Sequence, residues 1–216
     1  MNHQFGNSVF GRFLYAGHVE QVGHHSDGKG EIHRYYPDQF TVIAYADNGT
    51  KTAFFGSGIE KNPLSKVSFD ISATGCGSCE LIFKVLPTSS ELNYMQRIDI
   101  HLFGDELPWY SGYIITRPVE GTTDMEYKFT AHGYYNRLGH LILFETYEHM
   151  DPGAIVRDIA RKAEKNHGLV YNQTKIADAG YTVTKLVFDG VTAKEALDTL
   201  SDFALDFVYG VDEYRS

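Results

Sequence analysis

The residues of this chain best suited to chemistry are Cys76 and Cys79, the two cysteines in 216 residues. Gly77 and Ser78 separate them, giving the C-x-x-C spacing of a redox dithiol or of half a zinc site. A thioredoxin-type pair sits at a helix N-terminus, where the dipole lowers the thiol pKa. Here the residues that follow alternate like a strand, with Leu81, Phe83 and Val85 on one face. No second pair and no histidine at finger-like spacing completes a zinc set. A disulfide across two residues is geometrically tight. The expectation is therefore two reduced, metal-free cysteines acting as small buried hydrophobes. Gly75 and Gly77 then read as turn or bulge residues.

Other reactive residues are more scattered. His18, His24, His25 and His33 lie in a Gly/Ser/Asp-rich stretch without regular spacing, which reads as a solvated loop rather than a held metal site. Asp99, Asp105, Glu106, Glu120, Asp124, Glu126, Glu145 and Glu148 include no pair marked out for the facing carboxylates of a glycosidase. Nucleophile-elbow, zincin, P-loop and dinucleotide motifs are missing. Trp109, Tyr110, Tyr113, Tyr134 and Tyr135, with Tyr35 and Tyr36, suit either a sugar platform or core and subunit-interface anchors. The first five are the interface candidates. No catalytic, metal-binding or cofactor-binding residue is assigned.

The elements that must carry these residues are mostly strands. Asp47-Asn48-Gly49-Thr50 between two β-prone runs predicts a hairpin, since both Asn48 and Gly49 tolerate φ > 0. Alternation places Val67, Phe69 and Ile71, and then Ile98, Ile100 and Leu102, on buried faces. Strands are also expected over 109–117 and 126–138. The pattern changes at Asp151-Pro152, an N-cap followed by proline at the first helical position. Ile155, Val156, Ile159, Ala160 and Ala163 recur at helical spacing, and Gly168 suits the C-cap. Thr192 to Glu195 is a capping box opening a second helix, with Leu197, Leu200, Phe203 and Ala204 as its stripe. A strand lies between the helices. Another begins at 206–211 with little chain left to pair it, which suggests a fragment or a strand completed by a partner.

Composition narrows the class. Aromatics make up 14% of residues, with 21 Gly against 6 Pro, which favours a β-dominated chain. The net charge of −9 argues against a nucleic-acid partner. No apolar run approaches the roughly 18 residues of a membrane span. The opening residues lack a charged n-region and an apolar h-region, so synthesis in a cytoplasm is expected. The domains expected are an N-terminal β arm and hairpin (1–64), a β-barrel (65–150) and an α/β domain with two helices (151–216).

Residues 98–138 resemble the barrel of phage tail hub proteins: Ile98 and Ile100, then Tyr110-Ser111-Gly112-Tyr113-Ile114, Pro118, and Gly133 to Leu138. The helical segments Asp151-Pro-Gly-Ala-Ile-Val and Thr192-Ala-Lys-Glu-Ala-Leu are similar to the same family, as is the opening around Ser8 to Phe13. The resemblance implies a mainly β fold with an α+β part: a β-barrel, a small α/β domain and the start of a second barrel. It also implies a trimeric structural component of the virion, related to the spike of bacterial secretion machines. Such a hub joins the tail tube to the tip, binding itself and its neighbours (distal tail protein, tape measure, fibre or spike), with no catalysis and no cofactor. The rival expectation is an envelope-directed carbohydrate-binding module or cell-wall hydrolase, marked by facing carboxylates or an exposed row of Trp109, Tyr110 and Tyr113. A third is a redox or metal protein centred on the cysteines.

Overall fold

The computed structural model describes residues 13–16, 40–57, 59, 61–72, 74–119, 126–203 and 209–216. The four N-terminal histidines, Tyr35, Tyr36, Glu120, Asp124 and Ala204 lie outside them. Two compact units form, one from 1–72 with 78–131, the other from 73–77 with 132–216. These boundaries cut across the divisions at 64 and 150 expected from the sequence, because strands 40–56 and 64–133 share one sheet.

The first unit is built on that sheet. Its strands are β1 (Phe13–Ala16), β2 (Phe40–Tyr45), β3 (Lys51–Gly56), β4 (Leu64–Ser72), β5 (Gly75–Phe83), β6 (Arg97–Leu102), β7 (Tyr110–Thr116) and β8 (Tyr127–Gly133). Their order is β1-β4-β5-β8-β7-β6-β2-β3. The hairpin β2–β3 forms where Asn48-Gly49 predicts it, although of the two only Gly49 takes positive φ (81°). Gly49 N donates to Ala46 O, and Ala46 N donates to Thr50 O. This is a three-residue loop closed by a glycine bulge, not the two-residue turn.

The sheet is strongly curled. In strand order β3 is five spacings from β5, about 24 Å if the sheet were flat. Yet the rings of Phe55 on β3 and Phe83 on β5 are 5.0 Å apart. Phe69 on β4 likewise meets Tyr110 on β7 at 5.4 Å, three spacings away. The end strands β1 and β3 are not paired with each other among the described residues, so hydrogen bonding does not close this barrel-like sheet there. Within it Asp99 is buried and held by Arg97 Nε (3.0 Å) and Ser111 Oγ (2.7 Å).

The second unit contains a 3₁₀ segment (Tyr134–His140), β9 (Ile142–Met150), α1 (Pro152–His167), a 3₁₀ turn (Gln173–Lys175), β10 (Val183–Thr192) and α2 (Ala193–Phe203). β9 and β10 form an antiparallel ribbon. Leu143, Tyr147 and Phe188 face its core, together with Ile155, Ile159, Leu197 and Leu200 from the helices. Both helix starts follow the sequence reading. Thr192 and Glu195 complete the capping box: Glu195 N donates to Thr192 Oγ1 (3.1 Å), and Thr192 N donates to Glu195 Oε2 (2.7 Å). Gly168 caps α1 at φ 71°. The run at 134–138, expected as strand, is instead the 3₁₀ segment. The strand expected at 206–211 is described only from 209, where Val211 makes one parallel bridge to Gly75.

Asp151 does more than cap α1. Its carboxylate accepts from Gly153 N (2.7 Å), Ala179 N (3.1 Å) and Gly180 N (3.0 Å), tying the helix start to a loop 28 residues on. Burial would raise its pKa, but these backbone donors outweigh it and hold the carboxyl below its ordinary value. Glu195 is also lowered, by the Thr192 amide and hydroxyl. A group with a depressed folded pKa stabilises fully above its unfolded pKa, about 4, and loses that contribution as pH falls through the lower folded value. Denaturant midpoints of this chain are therefore expected to fall modestly from pH 7 to 5, where burial and then Arg137 and His140 keep the His167 imidazole from protonating as readily as in the unfolded chain, and to drop further below pH 4. Asp151→Asn, which keeps a capping oxygen, is expected to flatten part of that drop; Asp151→Ala costs about 1–2 kcal/mol at pH 7. An unchanged acid profile in Asp151→Asn would contradict the assignment.

Candidate functional site

Three of the five interface candidates are core residues. Tyr110 (0% exposed), Tyr113 (2%) and Tyr134 (5%) are enclosed within the chain, so they present no surface to a partner. Tyr134 packs into the second unit's core; for Tyr110 and Tyr113 the reason lies in β7, where Tyr110 to Ile114 are buried without a break. Both faces of that strand are covered, and Tyr110 and Tyr113, three apart, point to opposite ones. Trp109 is half-buried at the end of a loop, its Nε1 donating to Asp105 Oδ2 (2.7 Å) and its ring edge-on to Phe103 at 5.8 Å. With two members enclosed, the row of Trp109, Tyr110 and Tyr113 that a sugar platform requires is not exposed. In the second unit Tyr135 is half-buried, its hydroxyl 3.2 Å from that of Tyr209, with Lys194 Nζ 4.9 Å above its ring.

The groups that looked chemical hold structural positions. Cys76 and Cys79 are buried in β5, as expected, and neither forms a disulfide. They lie three apart on a strand, so they alternate to opposite faces. Asp105 accepts from Trp109, Glu145 from Lys162, and Glu148 pairs with Lys185. Among the described residues, no three His, Cys, Asp or Glu gather closely enough to hold a metal. No described helix is long and apolar enough to cross a membrane. The second unit has a cavity of about 620 Å³, walled by Val156, Ile159, Leu169, Leu197 and Val211. Two of its charged lining groups, Asp178 and Lys175, are engaged by Arg157 and Asp212.

What the sequence reading missed is the outer face of the ribbon. On β9, even-numbered residues face out: Ile142 is 47% exposed and Phe144 71%. Across from them on β10, Val187 (54%) pairs with Thr146, Lys185 with Glu148 and Val183 with Met150. The inner face is clamped to α1. Tyr147 Oη donates to Asp158 Oδ2 (2.6 Å), while Lys162 Nζ bridges Asp158 (2.7 Å) and Glu145 (2.5 Å). Burial first, then the Asp158 carboxylate, pushes the Tyr147 hydroxyl pKa up, so this donor stays protonated. The run Ile142-Leu143-Phe144 carried the signal: apolar residues in both phases of an alternating strand mean that both faces are apolar.

No family model and no curated protein matches the sequence. Among solved structures, the 43 kDa tail protein of prophage MuSo2 from Shewanella oneidensis is similar over 82% of this chain and 54% of its own, with a TM-score of 0.58 at 12% identity. This chain has the fold of a phage tail protein. It spans about half the length of that relative. Two further tail-related structures are similar at lower scores. One is the E. coli c3393 protein, a type VI secretion component described as structurally similar to the T4 tail proteins gp27 and gp5 (TM-score 0.40, 12% identity, 88% of this chain and 42% of that one). The other is a tail protein from Neisseria meningitidis MC58 (0.39, 13%, 90% and 45%).

Proposed function

We propose that this chain is a structural component of a phage tail, acting at the hub that joins tube to tip. It works by self-association and by binding neighbouring tail proteins, not by catalysis, and resides in the virion after synthesis in the host cytoplasm. The observation that carries this reading is the shared tail-protein fold over 82% of the chain.

The test is localisation. Antibody against the chain is expected to label one end of purified tails in electron micrographs, and deletion of its gene to give particles without complete tails, restored by complementation. Labelling of no virion structure, with normal tails after deletion, would sink the proposal. Peptidoglycan hydrolysis by the purified chain, abolished by changing one Asp or Glu, would replace it with the enzyme reading.

A further inference from the structure

Independently of the tail role, we infer that residues 172–182 form a lid over the second unit's cavity, one that opens as a unit while the two helices stay folded. The segment lies between two anchors. Leu169 before it and Val183 after it pack into the unit's core, and no side chain between them does. None of residues 172–182 is buried. Yet Ile176, Ala177, Ala179 and Tyr181 line the cavity of about 620 Å³, as do Val156, Ile159 and Ala160 of α1. An unfilled space forfeits the contacts that would hold a close-packed segment down. The segment therefore closes over α1 without being packed onto it.

The hydrogen bonds that tie it to the rest of the unit all involve a charged side chain. The Asp151 carboxylate accepts from Ala179 N (3.1 Å) and Gly180 N (3.0 Å). Arg157 Nη1 donates to Ile176 O (3.0 Å), and the same guanidinium pairs with Asp178. Lys175 Nζ pairs with Asp212 and donates to Ser216 Oγ (2.7 Å). Ties of this kind break without exposing the core, so opening here costs less than unfolding the unit. The seat is as specific as the latch. Gly153 lies in the first turn of α1, and a Cβ there would stand 2.1 Å from Ala177 O and 3.1 Å from Ala177 C. Glycine lets that carbonyl come so close. Closure thus depends on a side chain missing from α1, one that the helix itself would accept, since alanine is the better helix former.

Native-state hydrogen exchange of the full chain, read amide by amide in rising sub-denaturing guanidinium, tests this. The Ala179 and Gly180 amides are expected to exchange at least about tenfold faster than that of Ile159 in α1, through an opening that denaturant barely accelerates because it exposes little surface. Gly153→Ala, which props the lid off its seat, is expected to speed exchange at Ala179 and Gly180 by about tenfold or more and to leave Ile159 unchanged or slower. A tenfold step corresponds to about 1.4 kcal/mol, and a hydrogen bond to a charged group contributes about that or more. If Gly153→Ala fails to fold, Asp151→Asn takes its place. It keeps Oδ1, which accepts from Gly153 and Ala179, and removes the Oδ2 acceptor of Gly180. Gly180 is then expected to exchange faster and Ile159 to hold its rate. Lid amides that follow the denaturant dependence of Ile159, or variants that speed Ile159 as much as Gly180, overturn the inference.

Discussion

Phe83→Ala is expected to lower the stability of the chain by about 3–5 kcal/mol, read as a reduced denaturant midpoint with little change in slope. Phe83 is 0% exposed and sits between two rings, edge-on to Phe55 at 5.0 Å and to Phe129 at 5.3 Å. The three come from β3, β5 and β8, so one side chain joins the sheet's far strand to its middle. Removing it deletes the transfer free energy of the ring, two edge-to-face contacts and the packing that the curl depends on. The curl also prevents easy collapse, because Phe55 and Phe129 are fixed by different strands. Val85→Ala is the control. The sequence phase put Val85 on the same face as Phe83, but β5 ends at Phe83 and Val85 is 64% exposed. Its substitution is expected to stay within about 0.5 kcal/mol. Equal losses at the two positions would mean that the strand continues and the face extends to 85.

The contrast shows where the sequence is readable. Features set by neighbours along the chain could be read: the Asn48-Gly49 turn, the Asp151-Pro152 and Thr192–Glu195 helix starts, and the buried phases of β4 and β6. Each depends on a hydrogen bond or backbone angle within a few residues. The order of the sheet could not, since β5 neighbours β8 and β6 neighbours β2 through contacts distant in sequence. Nor could the fate of Tyr110 and Tyr113. Alternation reveals which face is inside only when the other face is polar, and β7 is buried on both. The same limit hid the candidate surface. Ile142, Leu143 and Phe144 are all apolar, so pattern alone does not say that Leu143 faces the helices and Phe144 faces out.

Gly133→Ala is expected to destabilise by at least about 3 kcal/mol, near the upper end for overpacking. The cause is space rather than backbone angle. Gly133 has φ −66° and ψ 160°, open to any residue. A Cβ there would stand 1.8 Å from Cys76 O, 2.4 Å from Cys76 C and 2.7 Å from Cys76 Cβ. Most of that obstacle is backbone of the adjacent strand β5, which cannot rotate away as a long side chain would. The methyl must therefore push β8 and β5 apart where the 3₁₀ segment begins. Two other Gly→Ala changes separate the causes. Gly139 has nothing within 4 Å, so alanine there is expected to be neutral or slightly stabilising through lost unfolded-state entropy. Gly49 also has open space but sits at φ 81°, so alanine is expected to cost about 1–2 kcal/mol. A ranking of Gly133 above Gly49 above Gly139 in urea midpoints supports the close approach; a mild Gly133→Ala refutes it. The same contact explains Cys76 without any thiol reactivity. Its carbonyl and Cβ form the wall that only glycine can meet, and its small side chain lets the two strands come that close.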